Sequence, residues 1–137
     1  MFVKITSQGG ISKGYFSVKD LNIVKLRISE LLNNLRIPLC GFYYCIHDTN
    51  GNVEGSNRPC SCQKPLPGML VEAASDHFID LNQSWIIGDT INDVEAGNRA
   101  GCQTILIDNG GETEWLPGVF RKPDFKARNI NEAAEQI

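Results

Sequence analysis

The sequence predicts an α/β fold, a Rossmann-like parallel sheet with flanking helices, and three observations carry that expectation. Apolar strand-like runs alternate with helical patterns along the chain, an order that makes strands parallel and lays helices on the sheet faces. One of those runs, SWIIGD, ends on an acidic residue and passes directly into a helical pattern, as a strand does when its carboxyl end carries a functional group. The composition is that of a soluble globular domain, with 42% hydrophobic and 21% charged residues in 137. Such a length buries roughly two-thirds of the unfolded surface around one core. No repeat, low-complexity tract or linker divides it, so residues 1–137 read as one domain with a loop, 45–62, inserted.

FVKIT opens as a strand and SQGGISKGYF follows as a Gly-punctuated loop. Ser17 and Asp20 match the S-x-x-[DE] start of a helix, and Leu21, Val24, Ile28, Leu31, Leu32 and Leu35 keep helical spacing as far as Pro38. LCGFYYC is a second strand, and residues 46–67 show neither period. GMLVEAASDHF reads as a helix, SWIIGD as a strand, INDVEAGNRAG as a helix closed by Gly101, and QTILID as another strand. After a Gly-rich turn, PDFKA is a short edge strand and NINEAAEQI a terminal helix.

The net charge of −3 and a pI near 5.3 come without a basic stripe, which argues against nucleic-acid and anionic-membrane partners and leaves a small anionic metabolite. No run approaches the roughly 18 apolar residues of a membrane span, and MFVKITSQGG lacks the apolar core of a signal peptide, so the expectation is cytoplasmic. Five cysteines without a secretory signal point to a reducing compartment. Cys40 and Cys102 lie in or beside apolar runs and read as small core residues.

The other three cysteines carry chemistry. Cys45-x-His47, twelve residues, then Cys60-x-Cys62 supplies three thiolates and an imidazole, the set that closes a tetrahedral zinc shell. With no open position left for water, such a zinc is structural and staples an apolar-poor loop. Asp48 and His77 have no comparable company, and His77 reads as a helix-surface residue. Asp89 stands at the carboxyl end of its strand with Asp93 one helical turn on, a pair suited to Mg²⁺; the competing duty for Asp89, equally weighted, is to cap the next helix, which Thr90 could also do. Lys64, stiffened by Pro65 and Pro67, suits a phosphoryl oxygen, although an exposed Lys is usually only a solubilising charge. Thr6 and Ser7 offer hydroxyls, and Gly9-Gly10 offers backbone N–H groups as an anion nest.

Together ITSQGGISKGYF, YYCIH, CSCQKPLPGML, WIIGDTINDVEAG and AGCQTILI resemble the zinc-containing (class IIIA) phosphatases of the haloacid-dehalogenase superfamily over nearly the whole chain. The nearest resemblance is to the heptose-1,7-bisphosphate 7-phosphatases, with the histidinol-phosphate phosphatases second. It implies hydrolysis of a phosphate ester in carbohydrate metabolism, here the making of lipopolysaccharide precursors. Thr6 would hydrogen-bond the phosphoryl group, with Ser7, Gln8 and Gly9 in the same substrate loop and Gln63 and Thr90 also facing substrate. Lys64 would neutralise the phosphate, Asp89 would bind Mg²⁺ with Asp93 in support, and Cys45, His47, Cys60 and Cys62 would hold a structural Zn²⁺.

Where the family reads T-N-Q this chain has Thr6-Ser7-Gln8, and where it has Arg before G-Y-F and before K-P there are Lys13 and Gln63. Each exchange removes a donor or a bidentate fork at a phosphate-facing position. The family's nucleophile and general acid lie in a D-x-D-G-T segment, and no two Asp residues of this chain are separated by a single residue. The chain is therefore expected to supply all of the site but the nucleophile. By the resemblance, the strands FVKIT and SWIIGD flank the place of that segment, which implies a partial sequence or a shortened gene product, with a complementing N-terminal segment as partner. The non-enzymatic alternative is a zinc-stapled module that binds a phosphorylated ligand or a partner chain.

Overall fold

The structure, a computed structural model, describes residues 1–137 and divides into two compact units, Met1–Gln63 and Lys64–Ile137.

In the first unit, β1 (Phe2–Ser7) and β2 (Leu39–Cys45) pair in parallel, with Val3 opposite Gly41 and Ser7 opposite Cys45. The crossover between them is α1 (Val18–Asn34), as a parallel pair requires. Its start is the one expected: the Ser17 hydroxyl accepts the Asp20 N–H, and the Asp20 carboxylate accepts the Ser17 N–H at 2.8 Å. The apolar face of α1 departs from expectation. Leu21 is buried and Ile28 and Leu32 are half-buried, but Val24, Leu31 and Leu35 are exposed. A two-stranded sheet is too narrow to cover a 17-residue helix. Cys40 is likewise exposed rather than in a core, whereas Cys102 of the second unit is buried.

In the second unit, β3 (Trp85–Gly88), β4 (Gln103–Ile107) and β5 (Phe125–Ala127) form a parallel sheet in that order, with β5 at an edge. Helices α2 (Gly68–His77), α3 (Ile91–Ala100) and α4 (Ile130–Ala134) accompany it, and Gly101 closes α3 with a φ of 86°. Successive residues of a strand face opposite sides, so β4 is buried on both. Leu106 packs with Ile91 and Val94 of α3, while Ile105 packs with Ala127 of β5 and Ala133 of α4. Thr104, fully buried, donates its N–H to the Asp124 carboxylate at 2.8 Å and so locks the entry to β5.

Two features fix α3 on this sheet. A Cβ at Gly97 would lie 2.2 Å from Ile86 Cγ2 and 2.7 Å from Thr104 Cγ2, so the helix approaches as closely as it does because that residue has no side chain. Buried Glu95 accepts from Arg99 on the next turn and from Arg121 on the loop before β5, both at 2.7 Å. Burial alone pushes the Glu95 carboxyl up, but the two guanidinium groups outweigh it and hold the group below its ordinary value.

Gly97→Ala is expected to lower stability by about 1–3 kcal/mol, read as a shift of the thermal or denaturant midpoint. Glu95→Gln is expected to cost roughly 1–3 kcal/mol at pH 7, because it leaves the half-buried Arg121 without its counter-charge. The folded-state value of Glu95 is depressed, so its contribution is present above the unfolded value of about 4.5 and is lost as pH falls. The stability gap between Glu95→Gln and the parent is therefore expected to close below about pH 4.5 in denaturant titrations.

Candidate metal and phosphate sites

β2 ends at Cys45, which is buried, and the chain then leaves the sheet through His47. The loop that follows returns Cys60 and Cys62 to the same place. Cys62 Sγ lies 2.9 Å from Cys45 Sγ, 3.2 Å from Cys60 Sγ and 3.3 Å from His47 Nδ1. Cys45 Sγ lies 3.5 Å from Cys60 Sγ and 3.6 Å from His47 Nδ1. No ligand atom is more than 4.8 Å from another, and all the cysteines are free thiols. Ligand atoms on a tetrahedral zinc, with Zn–S near 2.3 Å, lie about 3.5–3.8 Å apart, so the donor set suits one ion, with Cys62 Sγ moving roughly 0.5–0.9 Å away from the other two thiols to accept it.

The electrostatics of the group agree with that fit. Burial pushes the Cys62 and Cys45 thiols up, and the neighbouring thiols push Cys62 further. Cys60, against the same burial penalty, is drawn below its ordinary value by hydrogen bonds from Cys62, Cys45 and the Gln63 N–H, the last at 3.2 Å. Crowded thiols that resist ionising together need a cation to hold all three as thiolates.

The loop 8–16 is bolted to the loop 46–62. Ser12, fully buried, donates its hydroxyl to the Asp48 carbonyl at 3.1 Å, and its own carbonyl accepts the N–H groups of Asn52 and Val53. Asp48 has more company than its sequence context suggests, since its carboxylate pairs with Lys13 Nζ at 3.1 Å and accepts the Asn50 N–H at 2.9 Å. The Asn50 N–H and Lys13 together hold that carboxyl below its ordinary value. Lys13 is thereby tied to a carboxylate inside its own unit. Neither Gly9 nor Gly10 has the left-handed backbone that an alternating anion nest requires. These glycines instead admit close neighbours, the Asp48 carboxylate at Gly9 and the Phe16 ring at Gly10. Thr6, at the end of β1, accepts a hydrogen bond from the Gln8 side chain at 2.8 Å, while Ser7 is exposed beside it.

In the second unit Lys64, Asp89, Thr90 and Asp93 gather at the carboxyl end of β3. Asp93 is buried and both of its oxygens are engaged: Oδ1 with Lys64 Nζ, Oδ2 with the Thr90 hydroxyl at 2.7 Å and the Thr90 N–H at 3.1 Å. A Cβ at Gly88 would fall 2.2 Å from Asp93 Cβ, so the G-D-x-x-x-D glycine is what lets this carboxylate lie against the strand end. Thr90, not Asp89, caps α3, and its hydroxyl is taken up by a full capping box with Asp93. Asp89 is left exposed, with a carboxylate that joins no hydrogen bond or ion pair. Lys64, at 16% side-chain exposure, is a half-buried ion-pair partner rather than a solubilising charge.

Glu95 and Glu112 have no distinguishing sequence context, yet they carry much of the local order. Glu112 accepts the N–H of Ile91 in the first turn of α3, from 21 residues away in the chain. Only the folded loop brings it there.

Parallel strands, a free carboxylate at the carboxyl end of β3 and a largely buried Lys–Asp pair beside it define an α/β domain of the kind whose ligand chemistry lies at strand carboxyl ends. Within that class, the chain belongs to the HAD-hydrolase-like family, which matches residues 61–133, more than half of its length. It is 37% identical over 111 residues to D-glycero-beta-D-manno-heptose-1,7-bisphosphate 7-phosphatase of Pasteurella multocida, covering 80% of this chain and 60% of that protein. The enzyme of the same name from Helicobacter pylori is 36% identical over 117 residues, covering 82% of this chain and 64% of that protein. The chain thus spans about 60% of the length of the curated relatives it matches. The crystal structure of D,D-heptose 1,7-bisphosphate phosphatase from B. bronchiseptica, complexed with magnesium and phosphate, superposes with a TM-score of 0.80 at 27% identity over 98% of this chain and 72% of that one. A putative HAD-like phosphatase from Mesorhizobium loti gives 0.79 at 32% identity over 97% of this chain and 62% of that one. No helix of the chain is long and apolar enough to cross a membrane.

The purified chain is expected to hold one zinc per molecule, counted by atomic emission. Chelation or Cys62→Ser is expected to strip it and to destabilise the first unit by several kcal/mol. Amide exchange across residues 46–62 reports that loss, and Cys40→Ser, outside the cluster, is expected to leave zinc content unchanged.

Proposed function

We propose that the chain supplies the zinc- and Mg²⁺-binding part of a phosphoric monoester hydrolase that removes a phosphate from D-glycero-D-manno-heptose 1,7-bisphosphate. The observation that carries this reading is the unpartnered Asp89 carboxylate at the end of β3, one residue from Thr90, next to a Lys64–Asp93 pair. One carboxylate, waters and a substrate phosphate are the oxygen donors that Mg²⁺ prefers, so the donor set fits. When bound there, Mg²⁺ supplies charge neutralisation at the phosphoryl oxygens. The heptose name of the curated relatives favours that sugar bisphosphate over histidinol phosphate.

The roles of the residues follow from their chemistry. Lys64 presents an ammonium to the equatorial phosphoryl oxygens, and Asp93 fixes its direction. Thr6 donates a hydroxyl hydrogen bond to the phosphoryl group, oriented by the Gln8 amide it accepts from. Ser7, Gly9 and Gln63 contact the sugar or its remaining phosphate. Thr90 is spent on the helix cap and acts on substrate only through Asp93. The zinc group holds the loop 46–62, and through Ser12 the loop 8–16, in one shape. In the family the attacking group is the first Asp of a D-x-D-G-T segment, and no such pair occurs among these 137 residues.

Phosphate release is the test, measured for the chain alone and for the chain extended by a segment carrying D-x-D-G-T. Release is expected only from the extended protein, faster from heptose 1,7-bisphosphate than from histidinol phosphate. In that protein Asp89→Asn and Lys64→Ala are expected to lower kcat by roughly 100-fold or more. Release that needs no extension, or that is indifferent to Asp89→Asn, would sink the proposal. Binding of a sugar phosphate by both proteins with release by neither would mark a binding module instead.

A further inference from the structure

The carboxylate of Asp89 joins no hydrogen bond or ion pair, so what the fold fixes is the direction of its Cα–Cβ bond, through the backbone of residues 89–91. That backbone is held from two sides. On one side the Thr90 N–H is bound by Asp93, within the capping box. On the other side the Ile91 N–H, which no residue of the helix can satisfy, is bound by Glu112 Oε2. The second oxygen of Glu112 accepts the N–H groups of Thr113 and Glu114 at 2.7 and 2.6 Å. One carboxylate thus gathers three backbone donors and ties the loop after β4 to the residue two places beyond Asp89. Arg121 repeats the tie at the other end of the loop, donating to Asn92 at 3.2 Å and Glu95 at 2.7 Å of α3 and to the carbonyls of Leu116 and Glu114. The N–H groups of Glu114 and Ile91 also hold the Glu112 carboxyl below its ordinary value, which keeps a fixed negative charge against the first turn of α3.

From this geometry we infer that Glu112 is a positioning residue for the divalent-metal site, aiming the Asp89 carboxylate by anchoring Ile91. The inference rests on the reading of Asp89 as a Mg²⁺ ligand. Groups that orient a metal ligand without touching the metal typically govern affinity by 10–100-fold when removed. Asp89 lacks any other group to do this for its far side, since Asp93 acts only through Thr90. Glu112 therefore acts on metal affinity through orientation, not through the stability of the fold as a whole.

The test titrates the zinc-loaded 137-residue chain with Mn²⁺ as the probe, free Mn²⁺ being followed by its paramagnetic resonance. Four proteins are compared: the parent, Asp89→Asn, Glu112→Ala and Glu112→Gln. Thermal midpoints are recorded without Mn²⁺, and exchange of the Ile91 amide is followed separately. The expected result is loss of binding in Asp89→Asn and about tenfold weaker binding in Glu112→Ala with faster Ile91 exchange. Glu112→Gln, which keeps one carbonyl oxygen and the side-chain volume, is expected to lose about threefold and decides the matter if Glu112→Ala does not fold. Parent-like Mn²⁺ affinity in the folded Glu112 variants, with Asp89→Asn unable to bind, overturns the inference and leaves the reading of Asp89 intact. Parent-like affinity in Asp89→Asn overturns that reading itself and the inference with it.

Discussion

The second unit depends on one buried carboxylate. Asp93 sits at the third position of α3, where it closes a capping box with Thr90, and it sits opposite Lys64, whose charge it neutralises. Either duty alone would be ordinary. Together they mean that the start of the helix, the end of β3 and the direction of an ammonium group are set by the same two oxygens. The Gly88 backbone has to give way for it, since any side chain there would occupy the position of Asp93 Cβ. A carboxylate this deeply placed is tolerable only because both oxygens are bound, one of them to a full charge. That Asp89 remains free follows from this arrangement, because the capping work that would have occupied it is done by Thr90 and Asp93.

The first unit rests on a different device. Two strands and one long helix bury little, and most of the apolar face of α1 stays exposed. The loop 46–62 has no core of its own and is organised instead around the gathered side chains of Cys45, His47, Cys60 and Cys62 and by the buried hydroxyl of Ser12. A metal bound by these groups would convert binding energy into folding energy, which suits a segment poor in apolar residues. The ion pair between Lys13 and Asp48 then couples that segment to the loop after β1.

Both units place their chemistry at the carboxyl ends of parallel strands, and the two do it with opposite economies. At β2 the Cys and His side chains are neighbours in sequence on each side of a loop, so a local pattern reveals them. At β3 only the acid and its glycine are local. The groups that orient them come from farther along the chain, Lys64 from before α2 and Glu112 from the loop after β4.

The sequence alone determined the order of elements, the capping box at Ser17, the glycine that closes α3 and which three cysteines and one histidine gather after β2. Each of these is a matter of residues a few positions apart, where spacing maps directly onto geometry. It also held the G-D-x-x-x-D and K-P-x-P-G-M signatures that point to phosphate chemistry. What tertiary structure decided lies in pairings across long stretches of chain. It determined that Thr90 rather than Asp89 caps the helix, that Lys13 is bound to Asp48, and that Gly9 and Gly10 lie against the Asp48 carboxylate and the Phe16 ring without the left-handed backbone of an alternating nest. It also left Cys40 and most of the α1 face exposed, and it made Glu95 and Glu112 anchors of a loop that reads as featureless. The physical reason is common to all of these. A hydrogen-bonding group can serve several partners of similar energy, and which one it finds is fixed by what the rest of the fold brings within about 3 Å.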